Sequence, residues 1–408
     1  MNSPALANLR VLDMTRILAG PWCGQMLADL GAEVIKIEKP GSGDDTRAWG
    51  PPFLKDSAGN PTSEAAYYLA ANRGKKSVTV DISRPEGQEI IRALAAQSDV
   101  LLENYKLGQL AKYGLDYARL SAINPRLIYC SITGFGQTGP DAHKAGYDFM
   151  IQGLSGFMSI TGQADDQAGG GPQKAGVAIS DLFTGLHATI GVLAALEQRH
   201  TTGLGQYIDL ALLDVMVSSL ANMNSNYLAS GKPPVRWGNA HPNIVPYQTF
   251  AVADGHIILA VGNDAQFKKF CNAAGCPDLS NDPRFATNPA RVQHRAELIS
   301  LLSSLMLTRS KADWMAVLEK VNVPCGPIDN IAQALHNPQV LARGMLQNIS
   351  HPAAGMVQLI ANPIKMSGSS STAPTHPPLL SEHTDQVLRE KLKLDQTHID
   401  TLRAKGVV

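Results

Sequence analysis

Short apolar runs alternate with helical segments along the first third of the chain, and this alternation constrains the fold most strongly. Strands are predicted at residues 10–14, 33–38, 77–82, 99–103 and 126–132. Helices are predicted between them, for example at 21–30 and 84–97. Strands separated by such helices form βαβ units with a parallel sheet. Ligands of parallel sheets bind at the carboxyl ends of the strands, so the loops after these strands are expected to form the site.

The rest of the chain differs in its residue composition and in the spacing of its apolar residues. Residues 181–200 carry apolar side chains at helical spacing and are the strongest predicted helix. From about residue 222 the chain is rich in Pro, Gly and Asn, which is typical of a linker or a long functional loop. A second compact unit is predicted beyond it. Residues 367–380 are low in complexity and are predicted to form an extended surface segment.

The composition disfavours several classes of function. The 408 residues include 35 basic and 35 acidic side chains, so no overall positive field favours nucleic acid as a partner. The five cysteines lack CxxC spacing, which fits neither a disulfide framework nor a zinc site and indicates a reducing compartment. The first ten residues do not resemble a signal peptide, and no stretch is expected to span a bilayer. We therefore expect a cytoplasmic protein without a metal or a membrane partner.

Gly134, Gly136 and Gly139 follow a predicted strand with the spacing of a dinucleotide-binding fingerprint. The context disagrees with that function, because the strand is a late one and Pro140 follows where the motif needs a helix. We interpret the glycines as a loop that approaches a ligand closely.

Asp181 stands at the start of the strongest predicted helix and permits two interpretations. Aspartate is a favoured N-cap residue, and spacing alone favours this interpretation. A carboxylate at a helix N-terminus is also stabilised as the anion by the helix dipole. Asp181 is then expected to be ionised at pH 7 and able to act as a covalent nucleophile.

A set of basic residues lies near the predicted carboxyl edge of the sheet. Each alone is expected to be a solvated surface charge, whereas the set suits a phosphorylated ligand. The residues are Lys36, Lys39, Arg47, Arg73, Lys75, Lys76, Lys106 and Lys112. Neither Walker A, HExxH nor GxSxG motifs occur in the sequence.

Several long segments resemble the class III CoA-transferases, the group of formyl-CoA transferase and carnitine CoA-transferase. They include LRVLDMTRILAGPWCGQMLADLGAEVIKIEKPGSGDDTR, DVLLENY, ITGFGQTGP, AISDLFTGLHATIGVLAALEQRHTTGLGQ and VPCGPI. The resemblance implies an α/β fold with a Rossmann-like large domain, a parallel sheet and a smaller α+β domain, assembled as an interlocked homodimer. It implies a large CoA-binding domain over 1–205, a linker over 206–230, a small domain over 231–325, and a C-terminal segment over 326–408 that returns to the large domain.

The resemblance also assigns Asp181 the role of nucleophile. CoA would be stored on it as a thioester between an acyl-CoA donor and a carboxylic acid acceptor, so CoA is a substrate and no cofactor is expected. The glycine loop is a plausible lid. The implied CoA-binding residues are Leu18, Ala19, Lys39, Val80, Asp81, Ile82, Ser83, Asn104, Tyr105, Lys106, Lys112, Thr133, Gly134, Phe135 and Gly136. Lys112 replaces an arginine of the family, which keeps the charge but loses the bidentate geometry.

Further segments, such as GSGDDTRAWGPPF and RWGNAHPNIVPYQTF, resemble the family members that move CoA from succinyl-CoA to glutarate. A dicarboxylate acceptor needs a cation for its second carboxylate, and Arg47, Arg236 and His241 are candidates. Arg236 could equally be a surface charge, and His241 a loop hydrogen-bonder. The glycine-rich loop of formyl-CoA transferase is not found in the middle region, which disfavours formyl or oxalyl chemistry.

The α-methylacyl-CoA racemases of the same superfamily are the alternative. They use an aspartate in the region of Asp181 and a histidine in a GHD-type segment, where this sequence has Tyr147 in AGYDFM. Since the ordinary pKa of tyrosine is about 10, it is a poor partner for that proton transfer. A CoA-binding protein without catalysis is a third alternative, which the presence of Asp181 disfavours.

Overall fold

The computed structural model describes residues 3–369 and 375–408 and has a mixed α/β architecture. The strands are β1 (Arg10–Asp13), β2 (Glu33–Glu38), β3 (Phe53–Lys55), β4 (Pro61–Ala65), β5 (Lys75–Thr79), β6 (Val100–Glu103), β7 (Ile128–Thr133), β8 (Tyr207–Ala211), β9 (Tyr247–Val252), β10 (Gly255–Ala260), β11 (Cys325–Gly326), β12 (Leu346–His351) and β13 (Gly355–Ile360).

The α-helices follow the same order. They are α1 (Ala19–Asp29), α2 (Ala66–Leu69), α3 (Pro85–Ala95), α4 (Tyr117–Ile123), α5 (Asp148–Leu154), α6 (Phe157–Ile160), α7 (Ile179–Thr202), α8 (Leu212–Ser219), α9 (Asn222–Ser230), α10 (Asp264–Ala274), α11 (Asp278–Asn281), α12 (Asn288–Gln293), α13 (Arg295–Met306), α14 (Lys311–Glu319), α15 (Ile331–Leu335), α16 (Pro338–Ala342), α17 (Thr384–Leu392) and α18 (Gln396–Ala404). Short 3-10 helices lie at Asp45–Ala48 and Ala111–Tyr113.

Six parallel strands form the main sheet in the order β5-β2-β1-β6-β7-β8, which confirms the predicted parallel sheet. Val11 in β1 pairs with Val34 in β2 on one side and with Val100 in β6 on the other. The strands are rich in apolar residues because helices cover both faces. Helices α3, α17 and α18 pack on one face, and α1 and α7 pack on the other.

The chain divides into two compact units. The first comprises residues 3–157, 175–225, 338–369 and 375–408 and contains the main sheet. The second comprises 158–174 and 226–337, with an antiparallel sheet β11-β10-β9 and a core that includes Trp314. Residues 158–174 were not expected in this second unit. The expected linker at 206–230 instead consists of β8, α8 and α9.

Helix α7 is long and apolar enough to cross a membrane by length and composition, which the sequence analysis did not expect. Its contacts are those of a core helix. Ala188, Val192 and Ala195 are buried in the same cluster as Cys23 and Leu27 of α1. The α1–α7 packing therefore fixes where the N-termini of both helices lie.

The low-complexity segment is described only in part, since residues 370–374 lie outside the described residues. Pro377 and Pro378 are buried, so the expectation of a surface segment is wrong for them. The Pro378 carbonyl accepts a hydrogen bond from Arg47 Nη2 at 3.0 Å, which ties this segment to the loop after β2.

Candidate active site

Asp181 lies in the first turn of α7 but does not cap it. The helix begins at Ile179, and Ala178 occupies the N-cap position. The interpretation of Asp181 as an N-cap is therefore wrong. The backbone N–H of Ala19, the first residue of α1, lies close enough to its carboxylate to favour the ionised form. The N-terminal turns of two helices thus meet at this carboxylate.

The charge state of Asp181 differs from the sequence-based expectation. Burial, and then the nearby carboxylate of Asp148, raise the pKa of Asp181 to about 7, although the N–H of Ala19 acts in the opposite direction. The prediction of a fully ionised side chain at pH 7 is therefore wrong, because desolvation outweighs the effect of the helix N-terminus. A carboxyl group that titrates near neutral pH is typical of functional sites.

Asp148 is the first residue of α5 and connects it to α7. Its Oδ1 accepts a hydrogen bond from the backbone N–H of Ser180 at 2.8 Å, and its Oδ2 accepts one from Gln152 Nε2 at 2.7 Å. These bonds hold a second carboxylate beside Asp181. The sequence analysis missed Asp148, although it follows directly after Tyr147.

The loop after β1 is braced by Asn104, which comes directly after β6. Asn104 Oδ1 accepts a hydrogen bond from the backbone N–H of Arg16 at 3.0 Å, and its Nδ2 donates to the Arg16 carbonyl at 2.7 Å. The side-chain amide thus pairs with one residue of the turn that leads into α1.

Asp181 lines a cleft of about 380 Å³ with several residues that the sequence analysis selected. These are Ala19, Asn104, Tyr105, Lys106, Thr133, Gly134 and Tyr147. The cleft also includes Arg16, Trp49, His143 and Lys144, which were missed. Arg16 lies in the loop after the first strand, and that position was the available signal. Trp49 lies in the segment after the second strand, so the same signal was available for it.

A second cleft, of about 540 Å³, shares Arg16, Asp45, Tyr105 and Gln109 with the first. It brings together the selected residues that follow β2 and β5. These are Lys39, Val80, Asp81, Ile82 and Ser83. Because the clefts adjoin along the carboxyl edge of the sheet, they suit an elongated ligand with one end beside Asp181.

Four of the residues selected for CoA binding lie outside both clefts. Lys112 is exposed in a 3-10 helix, and Leu18 is buried at the N-cap of α1. Phe135 packs against the core on the α1 and α7 face of the sheet. The Gly136 N–H donates to Thr133 Oγ1 at 2.9 Å and shapes the glycine loop.

The glycine loop runs from Gly134 to α5 without opening a helix at Gly139, unlike a dinucleotide fingerprint. A Cβ added to Gly134 would lie 2.4 Å from the Cα of Gly146. The loop therefore crosses itself at two glycines, which allow the backbones to touch beside the cleft.

Arg47 is bound within the loop after β2. Its Nε and Nη2 donate to the two carboxylate oxygens of Glu38, both at 2.8 Å, and its Nη2 also lies 2.6 Å from Tyr68 Oη. Its side chain is 10% exposed. These partners account for Arg47 without a bound acid.

Arg236 and His241 lie in the second unit and have partners there. Arg236 pairs with Asp165 and donates to the Gln163 carbonyl at 3.0 Å. Burial, and then the charge of Arg295, lower the pKa of His241 below its usual value of 6.5. His241 is therefore mostly neutral at pH 7, which weakens its candidacy as a cation for a carboxylate.

Three of the basic residues expected to suit a phosphate are buried in ion pairs within the first unit. Lys36 pairs with Asp44 at 2.8 Å, Lys75 with Asp13 at 2.9 Å, and Arg73 with Asp29 at 2.5 Å. The pairs of Lys36 and Lys75 lie beneath the loops at the carboxyl edge of the sheet. Arg73 precedes β5 and therefore lies at the amino ends of the strands, so its expected place near the carboxyl edge is wrong.

A family model described as CoA-transferase family III matches residues 6–384. A succinate–glutarate CoA-transferase from Agrobacterium fabrum is 50% identical over 394 residues, 97% of this chain and 97% of that protein. A succinyl-CoA:glutarate CoA-transferase from Homo sapiens is 43% identical over 407 residues, 100% of this chain and 90% of that protein.

Solved structures with the same fold agree with this similarity. A CAIB/BAIF family protein from Brucella suis has a TM-score of 0.83 and 51% identity, and the match covers 96% of this chain and 100% of that one. A hypothetical protein from Mycobacterium tuberculosis has a TM-score of 0.82 and 29% identity, with 95% and 100% covered.

Proposed function

The chain belongs to CoA-transferase family III, and from this membership we propose that it moves coenzyme A from succinyl-CoA to glutarate or a similar dicarboxylic acid. The two relatives named for succinate and glutarate support this choice of substrates. We propose further that Asp181 carries CoA between the two half-reactions. The observation behind this role is a carboxylate that lines the cleft and has a pKa of about 7.

In the first half-reaction, the ionised carboxylate of Asp181 attacks the thioester carbonyl of succinyl-CoA. The C–S bond breaks, which gives a succinyl-aspartyl anhydride and the CoA thiolate. The thiolate then attacks the aspartyl carbonyl of the anhydride and releases succinate. The product is an aspartyl-CoA thioester, which retains the energy of the original thioester bond, so no ATP is needed.

In the second half-reaction, the carboxylate of the acceptor acid attacks the aspartyl-CoA thioester. This step again forms an anhydride and frees the CoA thiolate. Attack of the thiolate on the acceptor's carbonyl yields the new acyl-CoA and regenerates the carboxylate of Asp181. Every bond broken is replaced by one of the same kind, so the overall transfer is close to balanced in energy.

The surroundings of Asp181 support both halves of this cycle. A carboxylate with a pKa of about 7 is a stronger base than an ordinary aspartate and still ionises at neutral pH. The N–H of Ala19, at the start of α1, is placed to polarise the aspartyl carbonyl when the thioester forms. The thioester also has to be kept from water, a role we assign to the glycine loop over 134–139 as a lid.

The two adjoining clefts support an orientation for CoA. We place the nucleotide end in the larger cleft, beside Lys39 and residues 80–83. The thiol end then lies in the smaller cleft beside Asp181. Lys39 is exposed and has the charge that phosphate oxygens require.

A cytoplasmic, interlocked homodimer completes the proposal. Its support, besides the family resemblance, is a set of exposed apolar side chains on α5 and α7. Phe149 and Leu154 are each 60% exposed, and Ile190 is 62% exposed. Apolar surface of this kind is typical of a protein interface.

The test is intact mass spectrometry after incubation with succinyl-CoA, with Asp181→Ala beside the unmodified protein. The proposal expects CoA-linked protein, with the adduct on the peptide that contains Asp181, and none in the variant. Glutarate added afterwards should remove the adduct and produce glutaryl-CoA. An adduct that persists in Asp181→Ala would assign the nucleophile elsewhere.

The racemase alternative gives a different result in the same experiment. It expects no adduct, together with exchange of the α-proton on a branched acyl-CoA. Its second proton-transfer position is occupied by Tyr147, which is 68% exposed.

A further inference from the structure

The turn between β1 and α1 contains a strained residue. Ile17 has a φ of 73°, in the left-handed region. A β-branched residue adopts this conformation only where the surrounding structure enforces it. The turn leads through Leu18 to Ala19, and Ile17, Ala19 and Asp181 line the same cleft. The N–H of Ala19 favours the ionised form of Asp181 there. We propose that Asp44 is a positioning residue, which places this N–H by holding Ile17 in its left-handed conformation.

Asp44 holds the turn with both oxygens of its carboxylate. Its Oδ1 accepts a hydrogen bond from the backbone N–H of Ile17 at 3.2 Å. Its Oδ2 accepts one from Lys36 Nζ at 2.8 Å, and Lys36 Nζ also donates to the Thr15 carbonyl at 2.9 Å. Oδ1 thus holds the strained Ile17 directly, and Oδ2 holds Thr15 through Lys36.

Asp44 borders the larger cleft, but its side chain is buried beneath the surface of that cleft. The side chains of Asp44 and Lys36 are both 0% exposed, so neither charge reaches the solvent of the cleft. Asn104 holds Arg16 from another strand, but Asp44 provides the bond to Ile17 itself.

The charge on Asp44 persists wherever the enzyme works. Burial opposes this charge, but the ammonium of Lys36 and the hydrogen bonds from Lys36 and Thr46 outweigh it and lower the pKa of Asp44 to about 2. The bonds from Asp44 and Lys36 to the turn, called the clamp below, therefore keep the same charges across the pH range in which Asp181 titrates.

The consequence concerns the proton on Asp181, and it rests on the proposed function of that residue. The N–H of Ala19 favours the ionised form of Asp181. When the turn relaxes, this N–H moves away from the carboxylate and the pKa of Asp181 rises further. Less of the nucleophile is then ionised at neutral pH, and the acid side of the pH–rate profile moves to higher pH.

The experiment measures the rate of CoA-adduct formation on Asp181 against pH, by mass spectrometry in single turnovers with succinyl-CoA. Asp44→Asn is expected to slow the reaction about tenfold at pH 7. It is also expected to move the acid side of the pH–rate profile, the acid limb, to higher pH by about one unit. A rate that falls equally at every pH, with the limb unmoved, would overturn the proposal, because mere loss of folded protein gives that result.

Asp99→Asn is the matched control. Asp99 also accepts hydrogen bonds from a buried cation and from a backbone N–H, Arg199 Nη2 at 2.9 Å and Arg10 N at 2.9 Å. It precedes β6 and therefore lies at the amino ends of the strands, opposite the edge that carries Asp181. This variant is expected to lose stability but to keep the acid limb in place. A limb that moves equally in Asp99→Asn would contradict a specific role for Asp44.

Ile17→Gly provides an independent variant that keeps every charge of the clamp, should Asp44→Asn fail to fold. Glycine adopts both signs of φ, so the turn is no longer restricted to one conformation. We expect a smaller upward movement of the acid limb in this variant. An unmoved limb in folded Ile17→Gly would overturn the inference. Failure of the proposed function is distinguishable, because the unmodified protein would then form no adduct on Asp181.

Discussion

Asp181 combines two opposing influences on one side chain. Desolvation and the charge of Asp148 favour its protonated form, and the N–H of Ala19 favours its ionised form. The balance lies near pH 7, where the side chain exchanges a proton readily. This property suits a group that is alternately a free carboxylate and an acylated one.

The first prediction concerns the pH dependence of the half-reaction. In the proposed mechanism only ionised Asp181 attacks the thioester, so the rate of adduct formation should rise with pH and level off above about pH 7. Single-turnover rates between about pH 5.5 and about pH 8.5 test this expectation. A profile that is already flat at pH 5.5 would mean that Asp181 has the pKa of an ordinary aspartate.

The second prediction removes the neighbouring charge. In Asp148→Asn, the side chain keeps an oxygen that can accept the Ser180 N–H but no longer opposes ionisation of Asp181. The pKa of Asp181 should fall, so the acid limb moves to lower pH by up to about one unit. The direction is opposite to that expected for Asp44→Asn, and the same rate measurement determines both.

Asp395→Asn is the control for that variant. Asp395 likewise accepts a helix N-terminal N–H, that of His398 at 2.8 Å. It caps α18, which packs on the other face of the sheet from α7. Its substitution should leave the acid limb unmoved, whereas a shift there would point to a general effect on the fold.

The packing of α1 against α7 depends on a glycine. A Cβ added to Gly185 would lie 2.6 Å from the Ala19 carbonyl oxygen, a backbone atom that cannot rotate away. The close approach of the two helices brings the start of α1 to Asp181. The position of Ala19 beside Asp181 is thus set by helix packing and not by the loop alone.

The third prediction tests this packing. Gly185→Ala should force the start of α1 away from α7, which lowers the stability by about 1–3 kcal/mol and slows adduct formation. Gly191→Ala is the matched control in the same helix, because its Cβ would meet the Ile208 side chain at an ordinary 3.6 Å. It should be neutral or stabilising, since alanine favours a helix over glycine by about 1 kcal/mol. Thermal unfolding and the single-turnover rate measure both effects, and equal behaviour of the two variants would contradict the packing argument.

Charge in the molecule as a whole is balanced, yet it is concentrated in particular places. Beneath the carboxyl edge of the main sheet lie the buried pairs of Lys36 with Asp44 and of Lys75 with Asp13. Breaking a buried pair leaves an uncompensated charge, so such pairs make the edge a rigid support for the loops above it. The exposed cations, such as Lys39, remain available for a ligand.

The fourth prediction is that the active site lowers the stability of the whole protein at alkaline pH. The pKa of Asp181 is raised on folding, so its contribution to stability is full below about pH 4 and is lost as the pH rises through about 7. Asp181→Asn has no charge to desolvate. It should exceed the unmodified protein in stability by about 4 kcal/mol at pH 8, since the pKa rises by about three units at about 1.4 kcal/mol each, and should match it near pH 4. Urea unfolding at the two pH values measures the free energy of unfolding of both proteins. A higher stability of the variant that is the same at both pH values would contradict this explanation.

The sequence by itself determined the parallel sheet, because strands and short helices leave apolar patterns with local periods. The predicted strand at 33–38 coincides with β2, and the predicted strands at 10–14 and 99–103 agree with β1 and β6 to within one residue. The predicted strand at 77–82 begins instead at Lys75, since an ion pair with Asp13 buries a lysine that looks polar in sequence. Prediction of strand bounds from the local apolar pattern fails where a residue distant in sequence neutralises a charged side chain.

Tertiary structure alone decided the properties of the site. The selection of Asp181 followed from its sequence segment, but its protonation depends on Asp148 and Ala19, which come from other helices. The same holds for Arg47, which was a candidate to bind a carboxylic acid substrate but is bound by Glu38 in the folded protein. Electrostatic energy depends on distances in space and on burial, and neither is encoded in the short-range periodicity from which secondary structure is inferred.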